Sequence, residues 1–106
     1  MSSDNGLYIL VTEVPEFSSM RGDGKEYRVA YHMAVENYQW DDNKKDYSND
    51  PDTLIKNARE MWKDAKVLHT RKEALLEADR QYQEFMKDDF AILEYGISFI
   101  EIPRSF

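Results

Sequence analysis

The sequence predicts an α+β fold: a small antiparallel or mixed β-sheet of about four strands with two to three helices packed on one face. Three observations predict it. Leu7-Tyr8-Ile9-Leu10-Val11 is an unbroken apolar run between Gly6 and Pro15, which is how a strand reads when both of its faces are covered. Lys25–Tyr31 and Ile97–Ile102 alternate apolar with polar side chains, the period of a half-exposed strand. After Pro51 and again after Thr70, apolar residues recur three and four apart, the period of an amphipathic helix.

In chain order, the first strand spans Leu7–Val14. Pro15–Gly24, with Ser18-Ser19 and Gly22-Asp23-Gly24, reads as a loop to an antiparallel neighbour. In the second strand Glu26 and Arg28 alternate with Tyr27 and Val29. From Tyr31 the period lengthens through Met33, Val35 and Tyr38, which predicts a short helix from about His32 to Trp40. Residues 41–50 have no apolar period and are rich in Asp, Asn and Ser, whose side chains compete with the backbone for hydrogen bonds, so they read as a flexible acidic connector.

Pro51 stands where a first helical residue belongs, with Asp50 as N-cap and Asp52 in the first turn facing the positive end of the helix dipole. Leu54, Ile55, Ala58, Met61, Trp62 and Ala65 make the inner stripe of this helix, which runs to about Asp64. Lys66-Val67-Leu68-His69 is too short for a helix and reads as a strand. Thr70-Arg71-Lys72-Glu73 matches the S/T-x-x-E capping box and opens a last helix with Ala74, Leu75, Ala78, Tyr82, Phe85 and Met86 inward. Asp88-Asp89 breaks that pattern. Ala91–Gly96 fits a helical turn or an extended approach to the final strand, which ends at Pro103.

At 106 residues, with 42% hydrophobic and 13% aromatic side chains, the chain is the size of one domain able to bury a modest core, here 1–106 as a single unit. It has no cysteine, so there is no disulfide framework and no thiolate chemistry. Fourteen Lys and Arg against 21 Asp and Glu give a net charge of −7. That balance disfavours a phosphate backbone or an anionic membrane, because the cations are scattered among acids. No apolar run approaches the ~20 residues of a membrane span. Met1-Ser2-Ser3-Asp4-Asn5 lacks the basic start and apolar stretch of a secretory signal, so a cytoplasmic location is expected.

Catalytic and metal-binding patterns are missing from the sequence. His32 and His69 are the only imidazoles and share no ligand spacing, and no serine stands in G-x-S-x-G. A calcium loop begun at Asp46 would use Ser48 and Asp50 but meets Pro51 where the turn needs Gly and Asn57 where a closing Glu belongs. Gly22-Asp23-Gly24 is a turn and not a phosphate cradle, since no Walker-type Lys follows. The expectation is a non-enzyme without metal or cofactor.

The informative oddity is aromatic: Tyr27, Tyr31, Tyr38, Trp40 and Tyr47 cluster beside the acidic segment. Such rings either fill a thin core or anchor an interface. The second reading makes Tyr38, Trp40, Asp41, Asp42, Asp46 and Tyr47 a protein-binding surface. Gly6-Leu7-Tyr8-Ile9-Leu10, Glu26-Tyr27-Arg28-Val29-Ala30, Ala65-Lys66-Val67-Leu68 before the capped helix, and Glu94-Tyr95-Gly96-Ile97 together resemble small uncharacterised accessory proteins of tailed bacteriophages. The resemblance implies host takeover or counter-defence by binding in the host cytoplasm, and it identifies no site residues. The expected function is an acidic protein-binding module that occupies a basic face of a host protein. The alternatives are a homo-oligomer formed through a strand edge or helix face, and a small-molecule module with a pocket between helices and sheet.

Overall fold

The computed structural model describes residues 5–15, 22–88 and 93–106. Its elements are β1 (Gly6–Glu13), β2 (Lys25–His32), a 3-10 turn (Val35–Gln39), β3 (Trp40–Asp41), β4 (Asp46–Tyr47), α1 (Pro51–Met61), α2 (Arg71–Phe85) and β5 (Ile97–Ser105). β1 is the middle strand of a mixed sheet ordered β2-β1-β5, antiparallel to β2 and parallel to β5. β3 and β4 form a separate two-residue ladder.

Side-chain alternation along β1 sends its residues into two cores. Tyr8 and Leu10 join Ile102 beneath Leu54, Ile55, Ala58 and Trp62 of the α1 segment. Ile9 and Val11 join Tyr27 and Val29 beneath Ala74 and Ala78 of α2. The helices therefore lie on opposite faces of the sheet, which corrects the expectation of helices on one face. The apolar run of β1 is the physical reason. Every residue from Gly6 to Thr12 is buried, and an unbroken apolar strand requires cover above and below. The same geometry buries Arg28, expected at a solvent face: its guanidinium lies 3.8 Å from the centre of the Phe106 ring and 3.3 Å from Glu26.

α1 starts at Pro51 as predicted, with Asp50 at the cap position, although the Asp50 side chain accepts no backbone amide and receives only the Thr53 hydroxyl, at 3.4 Å. Trp62, just past the helix, is fully buried and donates its indole N–H to the Tyr8 carbonyl at 3.2 Å. The predicted strand at 66–69 contracts to one bridge, in which Leu68 exchanges both backbone hydrogen bonds with Tyr27. Here the chain passes the outer edge of β2 on its way from the α1 face to the α2 face, and four residues cannot both cross and pair.

Thr70 caps α2, accepting the Glu73 amide at 3.0 Å. A carboxylate also supports that end: Asp23 accepts the Arg71 amide at 2.9 Å and the Tyr27 hydroxyl at 2.7 Å. Gly22, at φ 59°, lies so close that a Cβ there would run into the His69 carbonyl. On α2 the small residues Ala74 and Ala78 meet the sheet, so the helix sits low. Leu75 and Met86, expected inward, are left 42% and 40% exposed on its flank.

The helix expected over 32–40 is a 3-10 turn, because His32 completes β2. Ser18-Ser19, Asp89 and the 91–92 portion of the ambiguous stretch lie outside the described residues. Among the described residues no helix is long and apolar enough to cross a membrane.

Candidate functional site

The segment read as a connector folds into a hairpin. Trp40 pairs with Tyr47 and Asp41 with Asp46, and the Ser48 amide donates to the Gln39 carbonyl at 2.7 Å. The turn between them is held by the Asp41 carboxylate, which accepts the amides of Asn43 and Lys44 at 2.9 and 3.1 Å. Lys45 takes the left-handed conformation at φ 53° and reaches Asp42 at 3.0 Å.

One side chain fastens the hairpin to the rest of the molecule. Asn57 of α1 donates to the Tyr38 carbonyl at 2.9 Å and to the Trp40 carbonyl at 2.7 Å. Sequence reasoning missed it. Asn57 stands at the border of the apolar stripe, three or four residues from polar Thr53 and Glu60 as well as from Leu54 and Met61, so the helical period does not mark it. Between hairpin and helix runs a groove of about 290 Å³ lined by Trp40, Asp41, Asp42, Asp52, Lys56 and Asn57. Arg104 of β5 ties Asp52 at its rim, at 3.1 Å.

The aromatic cluster divides. Tyr27 is core, Tyr31 packs on Phe85 with ring centres 5.0 Å apart, and Tyr38 is half-buried against the α1-side core, where burial pushes its hydroxyl pKa up. Trp40 and Tyr47 stay at the surface, 37% and 56% exposed, edge to face across the hairpin with ring centres 5.4 Å apart. Of the six predicted residues, five (Trp40, Asp41, Asp42, Asp46 and Tyr47) share this hairpin, while Tyr38 precedes it and points inward. Asp41 is partly covered, and Asp42 and Asp46 are open to solvent.

The local charge is less lopsided than the run of aspartates suggests. From 40 to 56 the carboxylates are Asp41, Asp42, Asp46, Asp50 and Asp52 and the cations are Lys44, Lys45 and Lys56, so five against three leaves an excess of two negative charges.

The histidines are apart from this surface. His32 packs edge-on to Trp62, ring centres 4.6 Å apart, and burial holds its pKa below the usual value. His69 lies beside the capped end of α2, where its carbonyl accepts the Asp23 amide at 3.1 Å. Among the described residues no group of three His, Asp or Glu side chains could hold a metal ion. A larger cavity, about 590 Å³, opens elsewhere, between the end of α1 and the middle of α2. Comparison with protein-family models, with curated proteins and with solved structures finds no match.

Proposed function

We propose that the protein is a non-enzymatic binding module whose hairpin docks on a basic face of another protein, in the manner of a phage accessory protein that modulates a host factor in the host cytoplasm. The observation that carries this reading is the exposed Trp40–Tyr47 pair, held on a hairpin fixed at three points: the Asp41-capped turn, the Ser48–Gln39 bond and the Asn57 strap. The ring pair also holds so short a ladder closed, since cross-strand aromatics stabilise hairpins by about 0.2–1 kcal/mol. That role uses the edge of one ring and one face of the other, and leaves the remaining exposed ring surface available to a partner. Preorganised rings lose little entropy on binding, which is why Trp and Tyr dominate interface energetics. The net charge of −7 supplies long-range attraction to a cationic surface, and the segment from 40 to 56 that carries the hairpin holds an excess of two of those negative charges.

The test is capture from host lysate with the wild-type chain and with the double variant Trp40→Ala/Tyr47→Ala, both confirmed folded by circular dichroism. A partner retained by the wild type and lost by the double variant supports the reading. Equal retention by both removes the hairpin from consideration.

A further inference from the structure

The two edges of the sheet are unlike. At the β2 edge, Tyr27 turns its backbone outward to Leu68, so Val29 and Tyr31 turn theirs the same way by alternation, and Val29 lines the cavity walled by the end of α1 and by α2. That edge is recessed and partly paired. At the other edge, the Leu7 amide donates to the Gly96 carbonyl, which fixes the phase of the parallel ladder. Ser98, Ile100 and Ile102 turn their backbones toward β1, while Ile97, Phe99, Glu101 and Pro103 turn theirs away from it. No strand among the described residues pairs with that side. Pro103, which has no N–H, occupies an outward position, as an edge proline must.

We infer that this edge joins a second copy of the chain, β5 pairing antiparallel with β5 about a two-fold axis at Phe99 to make a continuous six-stranded sheet. The ends of the usable stretch select that axis. Gly96, at φ 58°, turns the chain just before Ile97, and Pro103 cannot donate just after Ile102. Between them the three outward residues that keep both backbone groups, Ile97, Phe99 and Glu101, are symmetric about Phe99. Phe99 then meets Phe99 and Ile97 meets Glu101 twice, giving about six backbone hydrogen bonds.

The surface beside the edge fits such a partner. Ile97, Phe99 and Glu101 share the face of α2, since Phe99 stands in register with Ile9 of the α2-side core. Arg71 of α2 stacks on Phe99 at 3.9 Å, so the flank of α2 on which Arg71 lies looks toward this edge. Leu75, Tyr82 and Met86 continue that flank at helical spacing, and Leu75 and Met86 are the residues left exposed by the low seat of α2. The two-fold lays one such stripe beside the other and brings each Arg71 toward Glu101 of the second copy.

Charge also favours a copy here. Two chains of −7 repel, so association is least opposed at a patch without acidic excess, and β5 has one Glu and one Arg. The hairpin surface plays no part in this inference.

Sedimentation equilibrium from about 1 to 500 μM tests it, with concentrations chosen to span weak to moderate affinities. The wild type should show a concentration-dependent species of twice 12.6 kDa. Glu101→Pro removes an outward donor that β1 does not use, and Leu75→Glu sets like charges across the two-fold. Each should weaken the dimer roughly tenfold or more while leaving the circular dichroism spectrum intact. Should Glu101→Pro fail to fold, Leu75→Glu alone decides. Trp40→Ala/Tyr47→Ala should leave the dimer unchanged, so failure here is distinct from failure of the hairpin reading. A wild type that stays monomeric throughout, or a dimer that neither edge variant weakens, overturns the inference.

Discussion

Asn57 makes two hydrogen bonds with one side chain: its amide donates to the carbonyls of Tyr38 and Trp40, which end the 3-10 turn against the side of α1. Asn57→Ala should lower stability by about 1–2 kcal/mol, the range for losing two partly solvated bonds, read as a shift in urea midpoint. An unshifted midpoint would mean that the strap is not formed in solution. Tyr27 contributes to the pH dependence on the alkaline side. Burial first, then its bond to Asp23, push its hydroxyl from 10.0 up to about 12. At Asp23 burial acts upward too, but the Tyr27 hydroxyl and the Arg71 and Lys25 amides outweigh it and hold the carboxyl below its usual value. Because the folded-state value of Tyr27 lies above the unfolded one, its stabilising effect is complete below pH 10 and is lost as pH rises through about 12. Tyr27→Phe should therefore flatten the fall in stability over that interval. Parallel wild-type and variant curves would show that the Tyr27–Asp23 bond does not shape the alkaline transition.

At the scale of elements, the seat of α2 is set by alanines. Ala74 and Ala78 let its backbone approach β1 and β2, and the larger apolar residues are displaced to the flanks. Ala78→Leu should cost about 1–3 kcal/mol by overpacking, whereas Leu76→Ser, at a position 62% exposed, should stay within about 0.5 kcal/mol. Equal effects would place α2 in a different rotation. The long elements were legible in the sequence because burial of a strand or of a helix stripe writes a period. The run of β1, the alternation of β2, Pro51 at the start of α1 and the Thr70 box all carried such marks. A ladder two residues long, such as β3–β4, is too short to carry a period, so the Asp-rich turn hid it. The rotation of α2 was unreadable for another reason: Leu75 and Ala74 are adjacent, and an apolar stripe does not say which of its members touches the sheet.

Across the whole molecule, the α1-to-α2 connection at Leu68 carries the chain from one face of the sheet to the other, so both faces of β1 are covered and the hairpin is left projecting from the α1 side. The acidic-aromatic surface was visible in the sequence as a cluster. Its division into a core Tyr38 and a surface Trp40–Tyr47 pair depends on Asn57, which no local pattern singles out. The structure also changes which charges can be reversed cleanly. Asp41 holds the turn amides, so Asp42 and Asp46 are the better positions, Asp42 having only an exposed ion pair to Lys45. The most direct measurement is association and dissociation kinetics with the captured partner, at low and at physiological salt. Asp42→Lys/Asp46→Lys should lower the on-rate, as raised salt does when it screens charges over ~8 Å, and leave the off-rate nearly unchanged. Trp40→Ala should raise the off-rate by roughly tenfold or more with little change in on-rate. If both variants fold and neither rate moves, the hairpin is not the interface, and its ring pair serves only to hold the ladder closed.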